Sequence, residues 1–126
     1  MSDNLQTKKT GVAHFKSAFG WSMRGFYAAF KYESAFRQEA FLSLILVPLG
    51  IYLGSTAVER ALLVGSVLLV LIVELLNSSV EAAIDRIGLE RHELSGRSKD
   101  LGSAAVFTAL ILVVCVWGVI LIDRLF

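Results

Sequence analysis

The sequence predicts an all-α membrane protein with three transmembrane helices and an N-terminal amphipathic surface helix. Of its 126 residues, 56% are hydrophobic and 18% are charged, which is more apolar than a typical soluble domain. Three stretches of about 20 residues carry almost no charge, and each is long enough to cross a ~30 Å hydrocarbon core. The alternative is a soluble bundle with buried helices, but three such stretches in one short chain argue against it.

The first predicted element is a helix over about residues 10–32. Large apolar side chains recur in it every three or four residues, at Phe15, Phe19, Met23, Phe26 and Phe30. This spacing places them on one helical face. We expect the helix to lie on the cytoplasmic leaflet. Packing of the same face against the end of the bundle remains an open alternative.

The predicted spans cover about residues 36–56, 60–86 and 98–123. The first is interrupted by Pro48, Gly50 and Gly54, which membrane helices tolerate. Within the second, residues 61–80 contain one charged side chain, Glu74, and within the third, residues 101–122 contain none. The single cysteine, Cys115, lies in the third span, where we interpret it as a small apolar residue.

Basic residues set the predicted orientation. Of the 12 lysines and arginines, only Arg60 and Arg124 lie on the side of the first connection and the C-terminus. The others precede the first span or lie between the second and third spans, Lys8, Lys9 and Arg91 among them. The positive-inside rule therefore places the N-terminus in the cytoplasm and the C-terminus outside. A net charge of +1 gives no basic surface for nucleic acid.

A row of polar side chains follows one face of the second span, at Glu74, Asn77, Glu81 and Asp85. A carboxylate inside a bilayer costs several kcal/mol unless it is protonated, paired or facing a polar cavity. We expect Glu74 below the cytoplasmic surface and the other acids at the water boundary. Such a row suits chemistry between a lipid-borne and a water-borne group. Two alternatives remain. In one, a protonated Glu74 hydrogen-bonds the helices together, and in the other, Glu81 and Asp85 are ordinary solvated residues at a helix end.

More polar residues are predicted on the same side of the membrane. Glu33 and Glu39 flank the start of the first span, and a loop over about residues 88–96 precedes the third. We expect Gly88, Gly96 and Gly102 to permit tight turns there. Carboxylates with an amide suit Mg²⁺, and Lys99 can neutralise phosphate oxygens. The sequence lacks the P-loop, G-x-G-x-x-G and H-R-D motifs of common nucleotide-binding folds.

Three segments carry a family resemblance: ESAFRQE at 33–39, ELLNSSVEAAIDRIG at 74–88 and HELSGRSKDLGSAAV at 92–106. They resemble the prokaryotic diacylglycerol kinase family, and the likeness extends from about residue 11 to the C-terminus. The segment HELSGR is similar to the Gram-negative lipid kinases rather than the Gram-positive undecaprenol kinases.

The resemblance implies a homotrimer in the bacterial inner membrane, with sites shared between subunits. It implies transfer of the γ-phosphoryl group of ATP, with Mg²⁺, to the 3-hydroxyl of diacylglycerol, giving phosphatidic acid. Glu74 matches the general base, and Glu33 and Glu81 match the metal-binding carboxylates.

The remaining site residues are also carried over from the resemblance. Asn77 and Lys99 match positions at the reacting groups. Positions around ATP are matched by His14, Trp21, Glu33, Glu81, Glu90, His92, Lys99 and Asp100. Positions near the lipid are matched by Ser22, Arg37, Gln38, Glu39, Ser103 and Trp117. His14 and Trp21 depart from the family, since relatives can carry Arg and Tyr there.

Two other functions remain as alternatives. An undecaprenol kinase would use the same chemistry on a different lipid. A small proton-coupled exporter would use the membrane glutamate to exchange protons for a cation, which favours a carboxyl near the midplane. The polar residues of this sequence gather instead at one end of the spans.

Overall fold

The computed structural model describes residues 10–88, 90 and 92–126, and these form four α-helices. Three of the basic residues used to predict the orientation, Lys8, Lys9 and Arg91, lie outside the described residues. Helix α1 (Gly11–Tyr32) belongs to one compact unit, which ends at Glu33. Helices α2 (Ser34–Leu53), α3 (Ala57–Ile87) and α4 (Glu93–Leu125) form a second unit.

Helices α2, α3 and α4 are long and apolar enough to cross a membrane, which confirms the three predicted spanning helices. At 1.5 Å per residue, α3 and α4 are each more than about 45 Å long and so exceed the ~30 Å hydrocarbon core. Helix α2 is close to that thickness. The ends of α3 and α4 can therefore extend beyond the apolar region.

Helix α1 exposes the large side chains of its predicted stripe, including Phe15, Phe19 and Phe26. Near its C-terminal end, the Lys31 ammonium lies 5.8 Å from the centroid of the Tyr27 ring and 5.3 Å from that of Tyr32. Aromatic rings beside a lysine are typical of the membrane–water interface. The placement of α1 on a membrane surface stays a prediction.

A tight connection joins α2 to α3, and we call this side of the second unit the turn end. Thr56 caps α3, since its hydroxyl accepts a hydrogen bond from the Glu59 backbone N–H at 3.1 Å. The Glu59 carboxylate in turn accepts from the Ser55 N–H at 3.2 Å. This reciprocal arrangement is close to a capping box and explains why α3 begins here.

Gly54 and Arg60 complete the turn end. The Arg60 Nε donates to the Ile51 carbonyl at 3.1 Å, which satisfies one acceptor at the end of α2. A Cβ at Gly54 would lie 2.5 Å from Cγ and 2.9 Å from the backbone nitrogen of Arg60. The close approach of α3 therefore requires glycine at this position, and α2 ends at Leu53 rather than near 56.

A regular packing seam joins the three helices of the second unit. Its buried α2 residues recur every seven positions, at Phe36, Ser43 and Gly50. Four of the buried α3 residues alternate between steps of four and three, at Leu63, Val67, Val70 and Glu74. Both patterns are typical of helices packed as in a coiled coil. Glu74 therefore lies on the seam between helices and not on the outer surface of this unit.

The three helices approach one another closely around Gly50. A Cβ at this glycine would lie 3.1 Å from the Cβ of Leu63 and 3.4 Å from the ring of Trp117. The Trp117 indole N–H donates to the Leu63 carbonyl at 3.2 Å. A small residue thus lets α2, α3 and α4 meet, as is common between membrane helices.

The second connection, at residues 88–92, marks what we call the connector end. Helix α3 ends at Ile87, and His92 caps α4 because its Nδ1 accepts from the Leu94 N–H at 3.1 Å. The loop predicted to extend to about residue 96 therefore stops earlier. Gly96 and Gly102 lie inside α4, so the prediction that they permit tight turns is wrong.

Candidate active site at the connector end

The Glu74 carboxyl is 5% exposed and lies in the apolar middle part of α3. It shares a hydrogen bond with the carboxyl of Glu39, which α2 places opposite it. Two carboxyl groups can hydrogen-bond to each other only when one of them carries a proton. The pair is therefore a proton-binding centre within the seam. The sequence placed Glu39 near the start of its span but did not predict this pairing.

Asn77 and Glu81 continue the row toward the connector end. The Asn77 amide Nδ2 donates to Glu81 Oε1 at 3.4 Å, a long hydrogen bond within α3. Two buried oxygens, Asn77 Oδ1 and Glu39 Oε2, have no hydrogen-bond partner among the residues that the structure describes. An unsatisfied buried acceptor costs about 1–3 kcal/mol. A substrate hydroxyl, a water or an ion can satisfy such oxygens.

Lys99 on α4 forms an ion pair with Asp85 on α3, with Nζ and Oδ1 2.9 Å apart. Both side chains are about half exposed. Exposed ion pairs contribute at most about 1 kcal/mol, so the ammonium can leave Asp85 for a phosphate group at little cost. The sequence placed both residues on the same side of the membrane but did not predict their contact.

Two adjoining cavities open at the connector end, with volumes of about 450 and 190 Å³. Both are lined by Gly88, Glu90, His92 and Ser95, and the smaller one reaches Asp85 and Lys99. The larger volume is within the usual range of small-molecule sites. A third cavity of about 70 Å³ lies beside Glu39, with otherwise almost wholly apolar walls from all three helices.

The carboxylates of this region suit one mode of Mg²⁺ binding. The described residues contain no group of three or more His, Cys, Asp or Glu side chains that could hold a metal. Mg²⁺ commonly binds through one or two carboxylates together with substrate phosphates, rather than in a cage of protein ligands. Glu81, which is partly buried and oriented by an amide, fits that mode.

The other predicted site residues lie in several places. His14, Trp21 and Ser22 are exposed on α1, and Glu33 ends that unit. Arg37 and Gln38 lie in the first turn of α2. Asp100 and Ser103 are exposed on α4 close to Lys99 in sequence.

Trp117 is the predicted lipid residue that lies apart from the connector end. It contacts Leu63, which is about 16 Å from Glu74 along α3 at 1.5 Å per residue. The structure gives its indole a role in helix packing. Its contact with lipid stays a prediction and would involve acyl chain rather than headgroup.

These features define a helical protein with three helices that can span a membrane and a row of acidic residues that runs from the middle of α3 to the connector end. A family model described as "Prokaryotic diacylglycerol kinase" matches residues 20–121. The chain belongs to this family, which confirms the resemblance found in its sequence.

Curated relatives match nearly the whole chain. A diacylglycerol kinase of Haemophilus influenzae is 56% identical over 114 residues, which cover 90% of this chain and 97% of the relative. One of Pseudomonas aeruginosa is 48% identical over 122 residues, covering 97% and 99%. One of Escherichia coli K12 is 50% identical over 117 residues, covering 93% and 96%.

Proposed function

We propose that the protein transfers the γ-phosphoryl group of ATP to the 3-hydroxyl of diacylglycerol, giving phosphatidic acid at the cytoplasmic face of the bacterial inner membrane. The observation that carries this proposal is the buried Glu74, with Asn77 and Glu81 following it toward the connector end. Diacylglycerol is confined to the membrane with its hydroxyl near headgroup depth, whereas ATP is in water. A polar row that runs along the seam can serve both.

Glu74 is the general base in this proposal. Its carboxylate accepts the proton of the lipid hydroxyl while the hydroxyl oxygen attacks the γ-phosphorus. The new oxygen–phosphorus bond forms, the bond to the β–γ bridging oxygen breaks, and ADP leaves. For Glu74 to act as a base, the shared proton of the carboxyl pair must reside on Glu39, which then orients Glu74 by donating to it.

Charge neutralisation is the second requirement of phosphoryl transfer. Lys99 exchanges Asp85 for the phosphate oxygens of ATP in the smaller cavity, which both residues border. Glu81 and Glu33 would hold Mg²⁺, which supplies further neutralisation of the phosphate charge when bound. Glu90, His92 and Asp100 surround the nucleotide in this proposal, together with His14 and Trp21 of α1.

We also propose a homotrimer in which subunits share the sites. Three thin helices enclose a substrate poorly, and large apolar side chains such as Phe107 and Val114 remain exposed on α4. Lipid contacts are proposed for Ser22, Arg37, Gln38, Glu39, Ser103 and Trp117.

The experiment uses purified protein with ATP labelled in the γ-phosphate, Mg²⁺ and a panel of neutral lipids in mixed micelles. The proposal expects labelled phosphatidic acid from diacylglycerol. Label on undecaprenol alone would identify the other lipid kinase activity. Cation counterflow in proteoliposomes without ATP, and no labelled lipid, would instead identify an exporter.

A further inference from the structure

We propose that Gly102 is a positioning residue: its lack of a side chain leaves a notch on α4 that fixes the Asn77 amide and, through it, the Glu81 carboxylate. The part of this inference that concerns metal rests on the proposed function of Glu81. The notch itself is a property of the α3–α4 contact and can be tested separately.

The notch is defined by a close contact across the seam. A Cβ added at Gly102 would collide with Asn77 Oδ1 and would lie 3.2 Å from Asn77 Cγ. The amide oxygen is therefore seated against the α4 main chain. It is buried and has no hydrogen-bond partner in the described part of the chain. With the oxygen seated there, the amide nitrogen faces Glu81 and donates to its Oε1.

Other glycines of α4 differ from Gly102. A Cβ at Gly96 or at Gly118 would meet nothing within 4 Å. Glycine inside a helix is less favourable than alanine, and at Gly102 the neighbouring amide gives a steric reason for it. Gly118 is a matched control, since it lies in the same helix and outside the proposed site.

The physical consequence of Gly102→Ala is local. The colliding atom is the end of a side chain, so Asn77 can rotate while the helices keep their packing. The displaced amide then no longer orients Glu81. Loss of such a supporting hydrogen bond typically weakens metal binding by about 10–100-fold.

The first measurement uses electron paramagnetic resonance to monitor the binding of Mn²⁺ in the presence of a non-hydrolysable ATP analogue. We expect Gly102→Ala to bind Mn²⁺ about tenfold or more weakly than wild type. Gly118→Ala should match wild type. In the Asn77→Ala background, adding Gly102→Ala should change nothing further, because the residue acts through Asn77.

The second measurement is the NMR signal of the Asn77 side-chain amide, assigned by its loss in Asn77→Asp. We expect Gly102→Ala to shift this signal and Gly118→Ala to leave it in place. An Asn77 signal that stays in place in Gly102→Ala would overturn the inference. So would a loss of Mn²⁺ affinity on Gly102→Ala that is as large in the Asn77→Ala background as in the wild-type background. A signal that shifts in Gly102→Ala, found together with a wild type that binds no Mn²⁺, would support the notch and contradict the proposed metal role of Glu81.

Discussion

At the scale of the residue, the pairing of Glu39 with Glu74 is the central feature. A lone carboxylate in an apolar helix would be costly, and a hydrogen bond donated by a protonated second carboxyl offsets part of that cost. The same pairing gives the proposed base a donor that orients it. A structural and a catalytic requirement are thus met by one contact.

Substitution of Glu39 tests this pairing. A glutamine can still donate a hydrogen bond to Glu74, whereas an alanine cannot. We therefore expect Glu39→Gln to keep most of the turnover and Glu39→Ala to lose about tenfold or more, since a hydrogen bond to a charged group contributes about 1.5–3 kcal/mol. Turnover in mixed micelles measures the difference. Equal losses in the two variants would show that the proton of the pair has no role.

At the scale of the element, the packing seam decides where the polar row lies. Helical periodicity in the sequence predicts that Glu74, Asn77 and Glu81 share one face, and the structure places them along the seam. Periodicity does not fix the register between helices, so the sequence could not pair Glu39 with Glu74. For the same reason it could not place Gly102 against Asn77, and the sequence alone predicts a turn at Gly102.

The helix boundaries show the same limit. The uncharged stretches predict three spanning helices, and the structure contains them. The end of α2 depends on the contact of Gly54 with Arg60, and the start of α4 depends on the cap by His92. Both are contacts of single side chains or backbone atoms, which hydropathy does not record.

Gly54→Ala tests the turn end. Its Cβ would meet the backbone of Arg60, so the connection must deform, and overpacking of this kind costs about 1–3 kcal/mol. We expect a lower unfolding temperature in detergent. Gly65→Ala, where a Cβ inside α3 meets nothing within 4 Å, is the control and should not lower the unfolding temperature. A Gly54→Ala protein as stable as wild type would show that the turn has room for a side chain.

At the scale of the whole molecule, the predicted orientation places the proposed site on the cytoplasmic side of the membrane. The charge pattern predicts the connector end in the cytoplasm and the turn end outside. Single cysteines introduced at positions 55 and 92, in a Cys115→Ser background, report in intact cells on which side of the membrane each end lies. A membrane-impermeant thiol reagent should label position 55 and not position 92. The opposite pattern would put the site outside the cell, away from ATP.

Exchange of the buried α3 carboxyl for its amide is the decisive test of Glu74 as the proposed base. Glu74→Gln keeps the size of the side chain and removes the base, while Glu59→Gln on the same helix is the control at the turn end. We predict that Glu74→Gln loses at least about 100-fold in turnover, with assembly and nucleotide binding unchanged, and that Glu59→Gln matches wild type. Near wild-type turnover in a correctly assembled Glu74→Gln enzyme would contradict it.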